Sequence, residues 1–168
     1  RRTTWIQVKK RVLQFIGSFH QGGSESQAVE LTRALKTDGS FEIYVATLNG
    51  EGVLRKRLDE ARVNEIAQFP LTSFYNVNFL SQLRICADHL RRNKIDLVHT
   101  HDFYTNVFGM AAARLAGVPV RIASKRETSC MRSRSQDLVE KIAFRHANAI
   151  VVNSSAVREY LQAARKDP

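Results

Sequence analysis

The chain has 168 residues, of which 43% are hydrophobic and 25% charged, and it carries a net charge of +10. That balance belongs to a globular domain with room for one substantial core, and no apolar run approaches the roughly 20 residues that a membrane-spanning helix needs. Two cysteines, Cys86 and Cys130, show neither metal-ligand spacing nor the density of a disulfide framework, so a reducing cytoplasm is the expected compartment. The positive excess favours phosphate-bearing partners: a phosphorylated small molecule, nucleic acid or an anionic lipid surface.

The elements follow in chain order. Arg11 to Ile16 is an apolar run ending at Gly17, as a buried strand would. Gly22 and Gly23 come next, and Ser24 with Gln27 predicts a capping box opening a helix. Ala28, Leu31, Ala34 and Leu35 supply its apolar face, and Gly39 closes it. Phe41 to Thr47 reads as a second strand, Val53 to Arg62 as a charged helix, and Asn64 to Phe69 as a short strand stopped by Pro70. Phe74 to Asn93 has helical spacing, with Cys86 on the same stripe as Leu83 and Leu90, hence a core residue. Ile95 to His101 is a strand with a polar end, Thr105 to Ala116 a small-residue helix closed by Gly117, and Pro119 to Ser124 another strand. Asp137 to His146 reads as a helix, Ala149 to Val152 as a strand, and Ser154 to Ala164 as the last helix, capped within Asn153-Ser154-Ser155. Alternating strands and helices, with continuously apolar strands, predict a doubly wound α/β domain. Its mostly parallel sheet has about six or seven strands and helices on both faces. No internal repeat interrupts it, and residues 1–168 read as a single domain. The chain opens on Arg1 and ends in the polar Arg165-Lys166-Asp167-Pro168, which reads as a fragment running into a linker.

Ligands of such sheets bind beyond the carboxyl ends of the strands, and three polar clusters fall there. The first is the loop from Gly17 to Ser24. Its glycines allow close backbone approach, and a helix N-terminus follows that favours an anion; a tight turn is the plainer alternative. Position 23 is glycine where a phosphate loop has lysine, which excludes ATP hydrolysis of that type. The second cluster is His99-Thr100-His101-Asp102. His99 reads as a core histidine, whereas His101 and Asp102 lie past the apolar run and are expected to face the crevice, where an imidazole handles a proton near neutral pH. No third ligand suggests a metal. The third is Arg121 to Arg134, with Arg121, Lys125, Arg126, Arg132 and Arg134 against the single acid Glu127. Arginines suit phosphate, and a solvated loop is the alternative.

Three stretches in order carry a resemblance: Gly22-Gly23-x-Glu25 after the first strand; "IDLVHTHD" before a small-residue helix and "AGVPVRIAS"; and "ANAIVVNSSAVREYL". Together they resemble the amino-terminal domain of family 4 glycosyltransferases, retaining enzymes of the GT-B fold, over about Val12 to Asp167. The resemblance implies a Rossmann-like half that mainly binds the acceptor. A second half would hold the nucleotide-sugar through two glutamates eight positions apart, a pair this chain lacks. It implies no metal and no cofactor beyond the nucleotide-sugar co-substrate, and a chain inactive without its carboxy-terminal domain. It places Gly22 and Gly23 against the donor diphosphate, and His101 beside the transferring sugar as the catalytic residue. Asp102, Asn106 and Arg126 fall on the acceptor side. Lys125-Arg126-Glu127 stands where the family usually shows other residues, so the acceptor's identity does not transfer; a sugar, a lipid-linked sugar or a glycan all fit. "GVLRKRL" and "FYNVNFLSQL" are candidates to lie on an anionic membrane, which would make the cytoplasmic protein peripheral to the inner face. Two other readings compete. A reductase or epimerase domain wants G-x-G-x-x-G, which is missing. A non-enzymatic basic module for phosphate ligands or nucleic acid remains the alternative; nucleic acid is disfavoured because Arg121 to Arg134 has no interleaved aromatics.

Overall fold

The computed structural model describes residues 8–63, 65–71, 77–127 and 133–164. Its six strands are β1 (Lys10–Ile16), β2 (Phe41–Thr47), β3 (Ile66–Gln68), β4 (Leu97–Thr100), β5 (Val120–Lys125) and β6 (Ala149–Val152). Its six helices are α1 (Gly23–Asp38), α2 (Arg55–Glu60), α3 (Val77–Arg92), α4 (Phe103–Ala116), α5 (Arg134–Arg145) and α6 (Ser155–Ala164). The strands form one sheet in the order β3-β2-β1-β4-β5-β6, every neighbouring pair parallel.

β1 shows why both faces are covered. Alternate residues of a strand point to opposite sides, and nearly all of this one is apolar. Leu13 and Phe15 join Phe108, Met110, Leu90 and Cys86 in one core. Val12 and Ile16 join Ala28, Val29 and Leu58 in a second. Phe15 meets Phe108 edge to face at 5.8 Å between ring centroids. The sheet is thus the middle layer between α1 and α2 on one side and α3, α4 and α5 on the other, the doubly wound arrangement expected. Burial also lifts the Cys86 thiol pKa, as fits a packed, unreactive residue.

Several boundaries differ from expectation for local reasons. α1 starts at Gly23, with extended Gly22 as its N-cap and no side-chain cap; Ser24 therefore lies inside the first turn and the box with Gln27 does not form. α4 begins at Phe103 because Asp102 and Thr105 make a reciprocal capping box. α5 begins at Arg134, ahead of Asp137, because Ser133 and Gln136 do the same. Ser154 caps α6 through Val157 N–H at 3.3 Å, as expected. The proposed starts at Asn64 and Phe74, Cys130, Arg132 and residues 165–168 lie outside the described residues.

The order in which strands are added to the sheet switches sides at β1: β2 lies on one side and β4 on the other. The loops leaving β1 and β2 are stitched together there. Phe19 N–H donates to the Glu51 carbonyl at 2.9 Å, Leu54 N–H to the Phe19 carbonyl at 3.0 Å, and Asn49 N–H to the Gly17 carbonyl at 3.0 Å. Phe19 is fully buried. Gly52 makes this approach feasible: its φ is +127°, and a Cβ there would sit 1.9 Å from the Phe19 carbonyl carbon. Gly52→Ala is therefore expected to cost about 3 kcal/mol or more, measured as a shift in the urea midpoint at unchanged slope.

Candidate functional site

A cleft of about 710 Å³ opens beyond the carboxyl ends of β1, β4 and β5. Gly17 and Ser18 line one side, Ser24 and Glu25 of α1 the next, and Asp102 to Tyr104 the start of α4. Arg126 follows β5, and Gln136 and Glu140 of α5 close the far wall.

Its back wall is a polar seam on the α1 face of the sheet. Residues 14, 99 and 124 sit at the inner ends of three adjacent strands, in register for Gln14 with His99. His101 is 1% exposed, and its Nε2 lies 2.6 Å from the Gln14 amide oxygen. Arg126 Nη2 lies 3.0 Å from the other ring nitrogen, Nδ1. A guanidinium only donates and an amide oxygen only accepts. The tautomer follows: His101 carries its proton on Nε2 and offers the Nδ1 lone pair to Arg126. His99 stacks on His101 at 4.2 Å between centroids and pairs with Ser124 Oγ at 2.9 Å. Burial, then the charge of Arg126, pushes the His99 pKa down to about 4. Burial, followed by His99 and Arg126, holds His101 well below its ordinary value. Both rings are neutral at pH 7.

Asp102 has another task. Oδ1 accepts from Thr105 N–H at 3.0 Å, capping α4, and Oδ2 accepts from Gly17 N–H at 3.0 Å. Gly17 is required by this contact, since a Cβ would come 2.6 Å from Oδ2. Burial pushes the Asp102 pKa up, partly offset by these same hydrogen bonds.

The sequence-predicted residues therefore divide. Arg126 and Asp102 do line the cleft. His101 also reaches it, but from the back wall, buried and with both ring nitrogens engaged, because β4 ends one residue earlier and α4 turns over it. Asn106 is 1% exposed; it accepts from Thr100 Oγ1 at 2.6 Å and donates to the Ser124 carbonyl at 2.9 Å. It braces α4 against the sheet beneath the cleft floor. Gly22 and Gly23 flank the wall made by Ser24 and Glu25; Gly23 faces open space, while the Glu25 carboxylate folds back over Gly22. The basic stretch is not one patch. Arg121 donates to the Val118 and His146 carbonyls, tying the start of β5 to the turn after α5. Lys125 is buried in an ion pair with Glu140, and Arg134 opens α5. These three side chains thus serve separate parts of the fold. Gln14 and Ser124 were missed as site residues; a lone glutamine inside an otherwise apolar strand is the signal that pointed to the seam.

Among the described residues, no three His, Cys, Asp or Glu side chains converge as a metal would require, and no helix is long and apolar enough to cross a membrane.

The sequence model of Glycosyltransferase Family 4 matches residues 21–168. A search of the curated proteins finds no match. Among solved structures, HepE of Anabaena in complex with UDP and glucose superposes with a TM-score of 0.72 at 16% identity, over 93% of this chain and 41% of that one. The lipopolysaccharide outer core galactosyltransferase WaaB, without ligand, gives 0.68 at 14%, over 91% and 42%. A Listeria monocytogenes protein named as a UDP-N-acetylglucosamine 2-epimerase gives 0.73 at 16%, over 96% and 44%. At these identities the likeness is one of fold, and this chain spans about two-fifths of the length of the structures it matches.

Two outcomes follow from the site's hydrogen bonds and charges. Asp102→Ala removes a helix cap and strands the Gly17 amide, so unfolding by urea at neutral pH should become easier by about 1–3 kcal/mol. Acid should also weaken the fold. A histidine with a depressed folded pKa is uncharged in the native state while the unfolded chain takes up protons. Stability is then full above the unfolded value near 6.5 and falls as pH drops toward about 4. His99 accounts for at most about 3 kcal/mol of this loss. Asp102 opposes it, because its raised pKa favours the native state on acidification. Urea midpoints at about pH 7 and about pH 5 measure the net slope, which His99→Gln should flatten.

Proposed function

Because this chain belongs to Glycosyltransferase Family 4, we propose that it forms the acceptor-side half of a retaining enzyme that moves a sugar from a nucleotide-sugar donor to an acceptor. The observation that carries the reading is the cleft itself. Beyond three parallel strands it brings together a glycine turn with open space at Gly23 and a helix N-terminus, a fixed guanidinium and a wall of polar side chains, all on one sheet. HepE, of similar fold, was captured with UDP and glucose, which supports a nucleotide-sugar as the donor here.

The division of labour follows from the chemistry. Transfer needs negative charge stabilised on the departing diphosphate and an acceptor hydroxyl held still. In this reading the backbone at Gly22 and Gly23 approaches the diphosphate from one side once the Glu25 carboxylate swings away from Gly22, and a second, donor-holding domain supplies the remaining contacts. Ser24, Tyr104 and Arg126 orient the acceptor. His101 acts through Arg126: with its Nδ1 lone pair already taken it is no proton acceptor, and its Nε2–H to Gln14 fixes the ring. No metal step is invoked. With the reading go a cytoplasmic location, peripheral to the inner face of the membrane if the acceptor is lipid-linked, and a saccharide, glycan or lipid-linked sugar as acceptor.

The chain by itself should be silent. Incubated with UDP-, GDP- and ADP-sugars and a panel of saccharide and lipid-linked acceptors, it is expected to release no nucleotide above the blank. Joined to a donor-binding domain it should release nucleotide in an acceptor-dependent way. Transfer by the chain alone would overturn the assignment of donor binding to another domain.

A further inference from the structure

We infer that Arg126 receives an oxyanion carried by the acceptor, a carboxylate or a phosphate on the saccharide, so that this half of the enzyme selects acidic acceptors. The inference rests on the acceptor-side reading above and names the substrate class for it.

Arg126 carries a charge that no ion pair among the described residues takes up. Arg126 is partly buried at the cleft wall, and its guanidinium is held from behind by the Ser24 carbonyl oxygen and His101 Nδ1. Both are neutral acceptors. They fix the fork's direction without compensating its charge. Asp102 and Glu25 act on Arg126 through their charge, but neither forms an ion pair with it. Asp102 spends both oxygens on Gly17 and Thr105. Glu25 turns back over Gly22. Glu140 pairs with Lys125. None of the ion pairs among the described residues includes Arg126. The neighbouring cation makes the contrast: Lys125, fully sunk on the other face of the strand, has its own carboxylate. A cation withdrawn from water is costly unless paired, and a guanidinium held in one plane presents its remaining N–H groups in the geometry that fits a carboxylate or phosphate. The guanidinium borders an open cleft large enough for a sugar. The neutral state of His101 belongs to the same device, since a protonated ring would repel Arg126 from its seat.

The test is an NMR titration of the 15N-labelled chain with four probes: glucuronate, glucose 6-phosphate, glucose and UDP. Dissociation constants and the Arg126 Nε–H shift are read together. Glucuronate, glucose 6-phosphate or both should bind at least about tenfold tighter than glucose, with the Arg126 signal moving, and the two acids tell carboxylate from phosphate. Arg126→Gln should weaken the acidic probe at least about tenfold more than it weakens glucose. Arg126→Lys keeps the charge without the fork and should fall between, which covers a glutamine variant that does not fold. Glucose binding as tightly as the acids overturns the inference and leaves the acceptor-side reading standing. Arg126-dependent binding of UDP with no sugar bound overturns both. No binding of any sugar, or acidic binding indifferent to Arg126, overturns the inference.

Discussion

The carboxylate of Asp102 is the point on which the site depends. One oxygen holds the amide that ends β1 and the other holds the amide that starts α4. Two elements from distant parts of the chain are thereby fixed at one corner, and the cleft opens between them. The geometry is possible only because position 17 is glycine, whose missing Cβ leaves room for the carboxylate. A buried carboxyl is unfavourable when charged; here two backbone donors offset part of that penalty, and what remains shows as its raised pKa. A residue that reads in sequence as a substrate contact is thus first a brace.

The seam behind the cleft follows the same economy of partners. Gln14, His99, His101, Ser124 and Arg126 are polar groups inside an otherwise apolar sheet, and each contacts another of the set. Such networks are tolerable when every member is satisfied and costly when one is lost. The order of partners sets direction: amide oxygen to ring N–H, ring lone pair to guanidinium. The cation at the end of the line is held in place by groups that do not neutralise it. On the opposite face of β5 the Lys125–Glu140 pair does neutralise its charge, and it fastens α5 to the sheet. Lys125, the last residue of β5, and Arg126, which follows it, therefore serve unlike ends.

The layered fold was legible because its signals are local. Glycines at 39 and 117 end α1 and α4 in left-handed turns, and apolar runs such as Arg11 to Ile16 mark strands buried on both faces. The family was legible too, from short stretches in the right order. The site was legible only in part. Arg126 and Asp102 could be placed at a strand end by counting, but their partners could not, because Gly17 and Ser24 reach them from far along the chain. The Ser24–Gln27 pattern misled by one turn position: Gly22 supplies the extended residue the helix needs, so no side chain has to cap it. The Asp102-x-x-Thr105 cap went unrecognised because Thr105 is not the glutamate or glutamine such boxes usually carry. The burial of His101 at the back of the cleft was not legible, because strand alternation does not reveal what packs over a strand's end.

The central position of β1 has a consequence for biosynthesis. It is made before its sheet neighbours, yet one of its edges stays bare until β4 appears, after three intervening helices have been translated. β2 can zip onto it early, but Leu13 and Phe15 have no Phe108 to pack against until α4 leaves the ribosome. Until then the nascent chain therefore presents an unpaired strand edge and an uncovered apolar face. Parallel pairing between distant segments is slow to form, and such surfaces invite aggregation. The stretch of translation between β1 and α4 is thus the interval in which shielding of these surfaces matters most.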